Sequence, residues 1–163
     1  MTQQQSITVE LIGDREMVMK REFIAPRELV FEAHSDCKHL KQWFGPREFP
    51  IDYCDLDFRA GGTWHFCMKG PNGEEAWTLR TFEDIERPIR ISHRDAFSDP
   101  DRNEHPPVAY ETISFEDRGE RTLLSIHTRY ETPEERDQVI EMGVEQGVAD
   151  TFEQLDELLA ALR

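Results

Sequence analysis

The hydrophobic period of this chain changes for the last time near Thr132. Between about residues 49 and 130, apolar side chains recur at every second position in short runs separated by turn residues, the pattern of strands with one covered face. "FPIDYCDLDF" faces "TWHFCMK" across Ala60-Gly61-Gly62, "EEAWTLRTFEDI" faces "IRISHRDAF" across Glu86-Arg87-Pro88, and "VAYETISFED" faces "RTLLSIHTRY" across Arg118-Gly119. Connections this short join antiparallel neighbours, so the runs form a meander. After Thr132 the spacing becomes helical: Val144, Val148, Thr151, Phe152, Leu155, Leu158, Leu159 and Leu162 fall on one stripe, behind Thr132 as N-cap, Pro133 at the first helical position and Glu135 at the capping-box position. Sheet face and helix stripe must bury each other. The expected fold is α+β: a curved antiparallel sheet of six to seven strands wrapped around a long C-terminal helix. A sheet curled around one helix leaves a gap between them unless side chains fill it.

The N-terminal part fits the same plan. "ITVELIGDREMVMKREFI" alternates on both sides of Gly13-Asp14 and reads as two short strands, or as one strand with a kink. Pro26 opens a short helix in "APRELVFEAHS", and "DCKHLKQWFGP" gives a second, closed by Gly45-Pro46, so two short helices follow the first strand. Gly143 and Gly147 lie one turn apart in the C-terminal helix, where each costs about 1 kcal/mol relative to alanine. They imply close backbone approach, a break in the first third of the helix, or space kept open beneath it. The opposite face carries Glu141, Glu145, Asp150, Glu153, Asp156 and Glu157, read as a solvated surface. "SDPDRNEHPP", residues 98–107, is the longest turn-rich insertion and the expected site of greatest mobility. Residues 1–163 are read as one domain, with a disordered tail over about 1–6.

Charge and motifs exclude several functions. Nineteen basic residues against 34 acidic ones give a net charge of −15, the wrong sign for neutralising nucleic-acid phosphates or sitting on anionic lipid. No apolar run approaches the ~18 residues of a membrane span, and "MTQQQS" is not a signal sequence, so a cytoplasmic location is expected. Three cysteines, 37, 54 and 67, suggest neither a disulfide framework nor a zinc knuckle. Cys54 and Cys67 become cross-strand neighbours if their hairpin loop has an even residue count, whereas a three-residue loop sets Cys54 opposite Met68. The six histidines show no compact ligand spacing. No metal, no cofactor and no catalytic residue is assigned, although Glu111 or His93 against apolar walls could carry proton transfer.

In "RAGGTWHFCMKGPNG", residues 59–73, Trp64, Phe66 and Met68 point one way and His65, Cys67 and Lys69 the other. With "FIAPRELVFEA", "LKQWFGP", "DLDFRAGGTWHFCMKGPNGEE" and "FEDIERPIRI" in order, the chain from Phe23 to Leu162 resembles the START-like helix-grip (SRPBCC) superfamily, and within it the domain family named for the activator of the heat-shock protein 90 ATPase. The resemblance implies a deep cavity between sheet and C-terminal helix. Across the superfamily such cavities hold lipids, polyketides and other apolar ligands, some branches carry cyclase or hydrolase activity, and the eponymous branch binds a chaperone. It also implies that Trp64, Phe66, Met68, Trp43 and Phe44 face the cavity.

Three positions depart from the family pattern. Arg80 in "RTFEDI" stands where a glycine is usual, Glu111 shares parity with Ile113 and Phe115, and Gly147 replaces a tryptophan frequent in relatives. If Arg80 and Glu111 point inward they must pair with each other or with a polar ligand, because an unpaired buried ion costs several kcal/mol. The alternative parity, Trp77-Leu79-Thr81 inward, leaves Arg80 in solvent, and a bulge near Glu83 could reconcile the two. The expected ligand-binding residues are Trp43, Phe44, Trp64, Phe66, Met68, Arg80, Phe82, Glu111, Ile113 and Phe152. The expected ligand is a small apolar or amphipathic molecule. A chaperone or other protein partner and a cyclase- or hydrolase-like enzyme are the alternatives, with the protein a monomer or homodimer.

Overall fold

The computed structural model describes residues 6–162, so the tail expected over 1–6 lies, apart from Ser6, outside the described residues. Strands β1 (Thr8–Ile12) and β2 (Glu16–Phe23) form a hairpin about Gly13-Asp14, and helices α1 (Arg27–Glu32) and α2 (Cys37–Trp43) follow. Six strands come next: β3 (Ile51–Leu56), β4 (Thr63–Lys69), β5 (Glu75–Glu86), β6 (Arg90–Ser98), β7 (His105–Arg118) and β8 (Arg121–Tyr130). Helices α3 (Pro133–Glu141) and α4 (Val144–Leu162) close the chain. The sheet is antiparallel in the order β1-β2-β8-β7-β6-β5-β4-β3. The two short helices carry the chain from β2 to the far edge, and the meander returns until β8 closes on β2. Eight strands stand where six to seven were expected, because the N-terminal alternation makes two strands, and the short helices therefore follow the second.

The core lies between the inner sheet face and the helices. Phe23, Phe31, Phe115, Leu124, Leu155 and Leu159 are at most 2% exposed. Removing each such side chain from water contributes roughly 1.5–3 kcal/mol. Trp43 is buried with its indole N–H donating to the Ala33 carbonyl (2.8 Å), which satisfies the one polar group of the ring. Asp36 caps α2 by accepting from the His39 amide (2.8 Å), and Thr132 caps α3 by accepting from the Glu135 amide (3.1 Å).

The C-terminal helix is broken. Gly143 adopts φ +86°, a left-handed conformation that ends α3 and lets the chain restart as α4. On α4, Thr151, Phe152, Leu155, Leu158 and Leu159 are buried as the stripe requires, while Leu162 at the end is exposed. The acidic face is more than a solvated surface. Asp156 takes both terminal nitrogens of Arg21, a β2 residue 2% exposed, and Arg47 pairs with Asp150 (3.5 Å) and Glu157.

One further expectation changes. Cys37 and Cys54 form a disulfide tying α2 to β3. The register of β3 on β4 centres on Ala60, with Leu56 opposite Trp64, so Cys54 faces Phe66, and neither Cys67 nor Met68 stands opposite it. Cys67 stays a buried free thiol whose pKa is pushed up by burial. The 98–107 insertion folds back against the outer sheet face. The Asp99 carbonyl accepts from His65 Nε2 (2.9 Å), Arg102 donates to Asp55 (2.5 Å), and the Asp99 carboxylate gathers the amides of Asp101 and Asn103.

Candidate functional site

A cavity of about 440 Å³ opens between the middle of the sheet, the end of α2 and the α3–α4 break. That volume lies in the range that suits small-molecule ligands. Its apolar walls come from three places: Trp43 and Phe44 after the turn of α2, Phe66, Met68 and Ile113 on the sheet, and Val148 and Phe152 on α4. Gly45 follows Phe44 with φ +93°, and a Cβ there would stand 2.6 Å from the Met68 sulfur, so the glycine lets the chain turn directly over the methionine. Gly147 also lines the cavity, and nothing lies within 4 Å of where its Cβ would be. The space-keeping reading of Gly147 and the helix-break reading of Gly143 both hold.

The parity of β5 is decided by its register. Thr78 and Arg80 border the cavity, whereas Trp77 lies against His65 (ring centroids 5.0 Å) and Tyr53 (5.5 Å), rings contributed by the opposite parity of β3 and β4. The pairing of β5 with β6 shifts between Phe82 and Asp84, a bulge at Glu83 that keeps Ile85 against the core. Arg80 is therefore inside, 6% exposed.

Two rows of side chains cross four strands beside it. Arg80, Asp95, Ala109 and Tyr130 stand opposite one another on β5 to β8, and so do Phe82, His93, Glu111 and Thr128 in the next row. Cross-strand partners are the closest neighbours a sheet offers, and the rows build a polar cluster. Arg80 donates from Nε to Asp95 Oδ1 (2.7 Å) and from Nη2 to Asp95 Oδ2 (3.0 Å), a bidentate pair. His93 Nε2 donates to Glu111 Oε1 (2.8 Å) and Thr128 Oγ1 donates to Glu111 Oε2 (3.0 Å). Arg80 Nη2 stands 3.9 Å from Glu111 Oε1, too far for a hydrogen bond. The interior pair expected from sequence, Arg80 with Glu111, is therefore chiefly Arg80 with Asp95.

The electrostatics follow from burial and neighbours. Burial alone would raise the Asp95 carboxyl, but the adjacent Arg80 guanidinium, with His93 beside it, holds it below the ordinary carboxylate value. Burial works against the Arg80 charge too, and Asp95 and Glu111 reverse that effect and raise its pKa. Tyr130 is pushed up by burial first and then by the charges of Glu111 and Asp95. His34, on the cavity wall with Nδ1 against the Val30 carbonyl (2.8 Å), is lowered to about 4 by burial and by Arg80 and His93.

Of the expected ligand-binding residues, Trp43, Phe44, Phe66, Met68, Arg80, Glu111, Ile113 and Phe152 border the cavity. Trp64 stacks behind Phe66 (3.9 Å between centroids), and Phe82 packs on Phe58 (5.3 Å), so both support the wall from behind. Sequence reading missed Asp95, Tyr130 and His34. The signal for Asp95 was present, since Ile91, His93 and Asp95 share parity on one strand. His93, Asp95 and Glu111 bring three possible metal-ligand atoms within 4.8 Å of one another, a grouping their sequence spacing did not suggest. Arg80 already occupies the Asp95 carboxylate, so a cation there would compete with a bidentate guanidinium.

The comparisons with known proteins agree with this architecture. A solution structure of a protein from Arthrobacter aurescens is 27% identical over 94% of this chain and 91% of its own, with a TM-score of 0.87. The crystal structure of protein Ms6760 from Mycobacterium smegmatis is 29% identical over 94% of this chain and 96% of its own, with a TM-score of 0.85. The AHSA1 protein SPO3351 from Silicibacter pomeroyi, 23% identical over 91% of this chain and 99% of its own, shares the fold with a TM-score of 0.75. No curated protein matches. Among the described residues no helix is long and apolar enough to cross a membrane. The family described as Activator of Hsp90 ATPase homolog 1-like protein matches residues 24–160, most of the chain, and the chain belongs to that family.

Proposed function

We propose that this protein binds a small apolar or amphipathic ligand in the cavity between sheet and C-terminal helices, acting as one domain, monomeric or homodimeric. The observation that carries the reading is the composition of the cavity: apolar walls from Trp43, Phe44, Phe66, Met68, Ile113 and Phe152, and a single polar cluster around Arg80 and Glu111. Such a wall gives affinity by burial, and the cluster fixes orientation. Native mass spectrometry of gently purified protein, set against its denatured mass, tests it. A discrete excess mass is expected, and its absence after incubation with a lipid and polyketide panel would sink the proposal.

A chaperone-directed or other protein-binding role is the second reading. It is favoured by the family description and by Val9, Leu11 and Ile12, exposed on the edge strand β1. Catalysis in the same cavity would use the His93–Glu111 hydrogen bond as its proton-transfer element. The proposal keeps the protein in the cytoplasm. The Cys37–Cys54 link, a bond more usual in oxidising compartments, is the test of that part, by thiol alkylation in a fresh whole-cell lysate.

A further inference from the structure

From the charge count and hydrogen bonds of the cavity we infer that its ligand carries a protonated amine on an apolar body, with Glu111 as the counter-ion. The inference rests on the ligand-binding reading above. Among the described residues lining the cavity, Arg80 is the one permanent cation, and it faces two carboxylates, Asp95 and Glu111. Its Nε and Nη2 are both committed to Asp95, which makes that pair internally neutral. Glu111 receives its two hydrogen bonds from His93 and Thr128 and no direct hydrogen bond from a guanidinium. His93 is fully buried and its Nδ1 has no hydrogen-bond partner, so the one hydrogen bond of its ring is the one Nε2 makes to Glu111.

The site therefore holds one more acid than it holds fixed cations, in a wall that is otherwise apolar. The nearest fixed cation to Glu111, Arg80 Nη2 at 3.9 Å, is shared with Asp95, so the carboxylate is only partly compensated where water is scarce; a ligand ammonium would complete that compensation while its apolar body fills the space left by Gly147. A ligand carboxylate would instead add a third anion to one arginine. The net charge of −15 points the same way, drawing cations toward the protein and repelling anions.

Three probes of equal chain length separate the possibilities: decylammonium, decanol and decanoate, titrated calorimetrically into the intact protein below their aggregation concentrations. Decylammonium is expected to bind about tenfold or more tighter than decanol, as a charge-assisted hydrogen bond predicts, with decanoate weakest. Glu111→Gln, close to isosteric, should abolish the advantage of decylammonium over decanol. Equal affinities, or tighter decanoate, would overturn the amine inference while leaving the cavity reading standing. No binding of any probe would overturn both. If Glu111→Gln does not fold, the ranking of the three probes on the unaltered protein still decides.

Discussion

The two ends of the space between sheet and helices share strands β7 and β8 and differ in almost every other respect. Under α1 and the second half of α4, Phe23, Phe31, Phe115 and Phe152 meet edge to face, with ring centroids 5.1–5.2 Å apart, and Leu124, Leu155 and Leu159 fill the remaining volume. Toward the α3–α4 break the helix has glycines at 143 and 147, the facing strands carry Arg80, Asp95, His93 and Glu111, and about 440 Å³ stays open. The difference shows that the sheet decides what faces inward, while the helix decides whether that face is covered by side chains or left as a cavity wall.

The comparison breaks most severely if the open end loses its cation. Arg80→Leu should destabilise by about 3–5 kcal/mol in urea denaturation, because Asp95 and Glu111 would be left without a buried positive charge. Removing Arg80 and Asp95 together, as Leu and Asn, should recover much of that loss. A single variant as stable as the parent would show the cluster to be open to water. Cleaving the Cys37–Cys54 link, which closes a loop of sequence separation 17 and holds α2 over the cavity, should cost about 3 kcal/mol. Melting curves with and without a thiol reductant check this.

The seam between the two ends is His34, packed on Phe115 at one side and Trp43 at the other. Its folded pKa of about 4 lies below the ordinary 6.5, so the unfolded chain binds the proton first. Stability should be full above pH 6.5 and decline by up to roughly 3 kcal/mol as pH falls toward 4. His34→Gln should flatten that part of the profile, and an unchanged profile would assign the acid sensitivity elsewhere. The smallest effect belongs to Gly147→Ala, which meets no atom within 4 Å and should stabilise by about 1 kcal/mol while trimming the cavity. A loss of stability there would mean that the helix needs the glycine for more than space.

The strands, the short helices, the capped start of α3 and the inward stripe of α4 were legible because each is a local repetition: period two, period 3.6, or a turn at a fixed offset. The break at Gly143 was one of three meanings its sequence allowed. The acidic face of α4 read as a solvated surface because nothing local joins Asp156 to Arg21 or Glu157 to Arg47 across more than a hundred residues. The anchors of the 98–107 loop, His65 and Asp55, were illegible for the same reason, since they belong to a different hairpin.

The sequence by itself determined the fold class, the family and most of the cavity wall, since apolar periodicity and turn residues act over a few positions and survive without knowledge of the partners. Tertiary structure alone decided the disulfide, the inward parity of Arg80 and the polar cluster. Those depend on register: a bulge at Glu83 and the alignment of four strands set Arg80 against Asp95 and His93 against Glu111, and a shift of one residue would have turned every one of them to solvent.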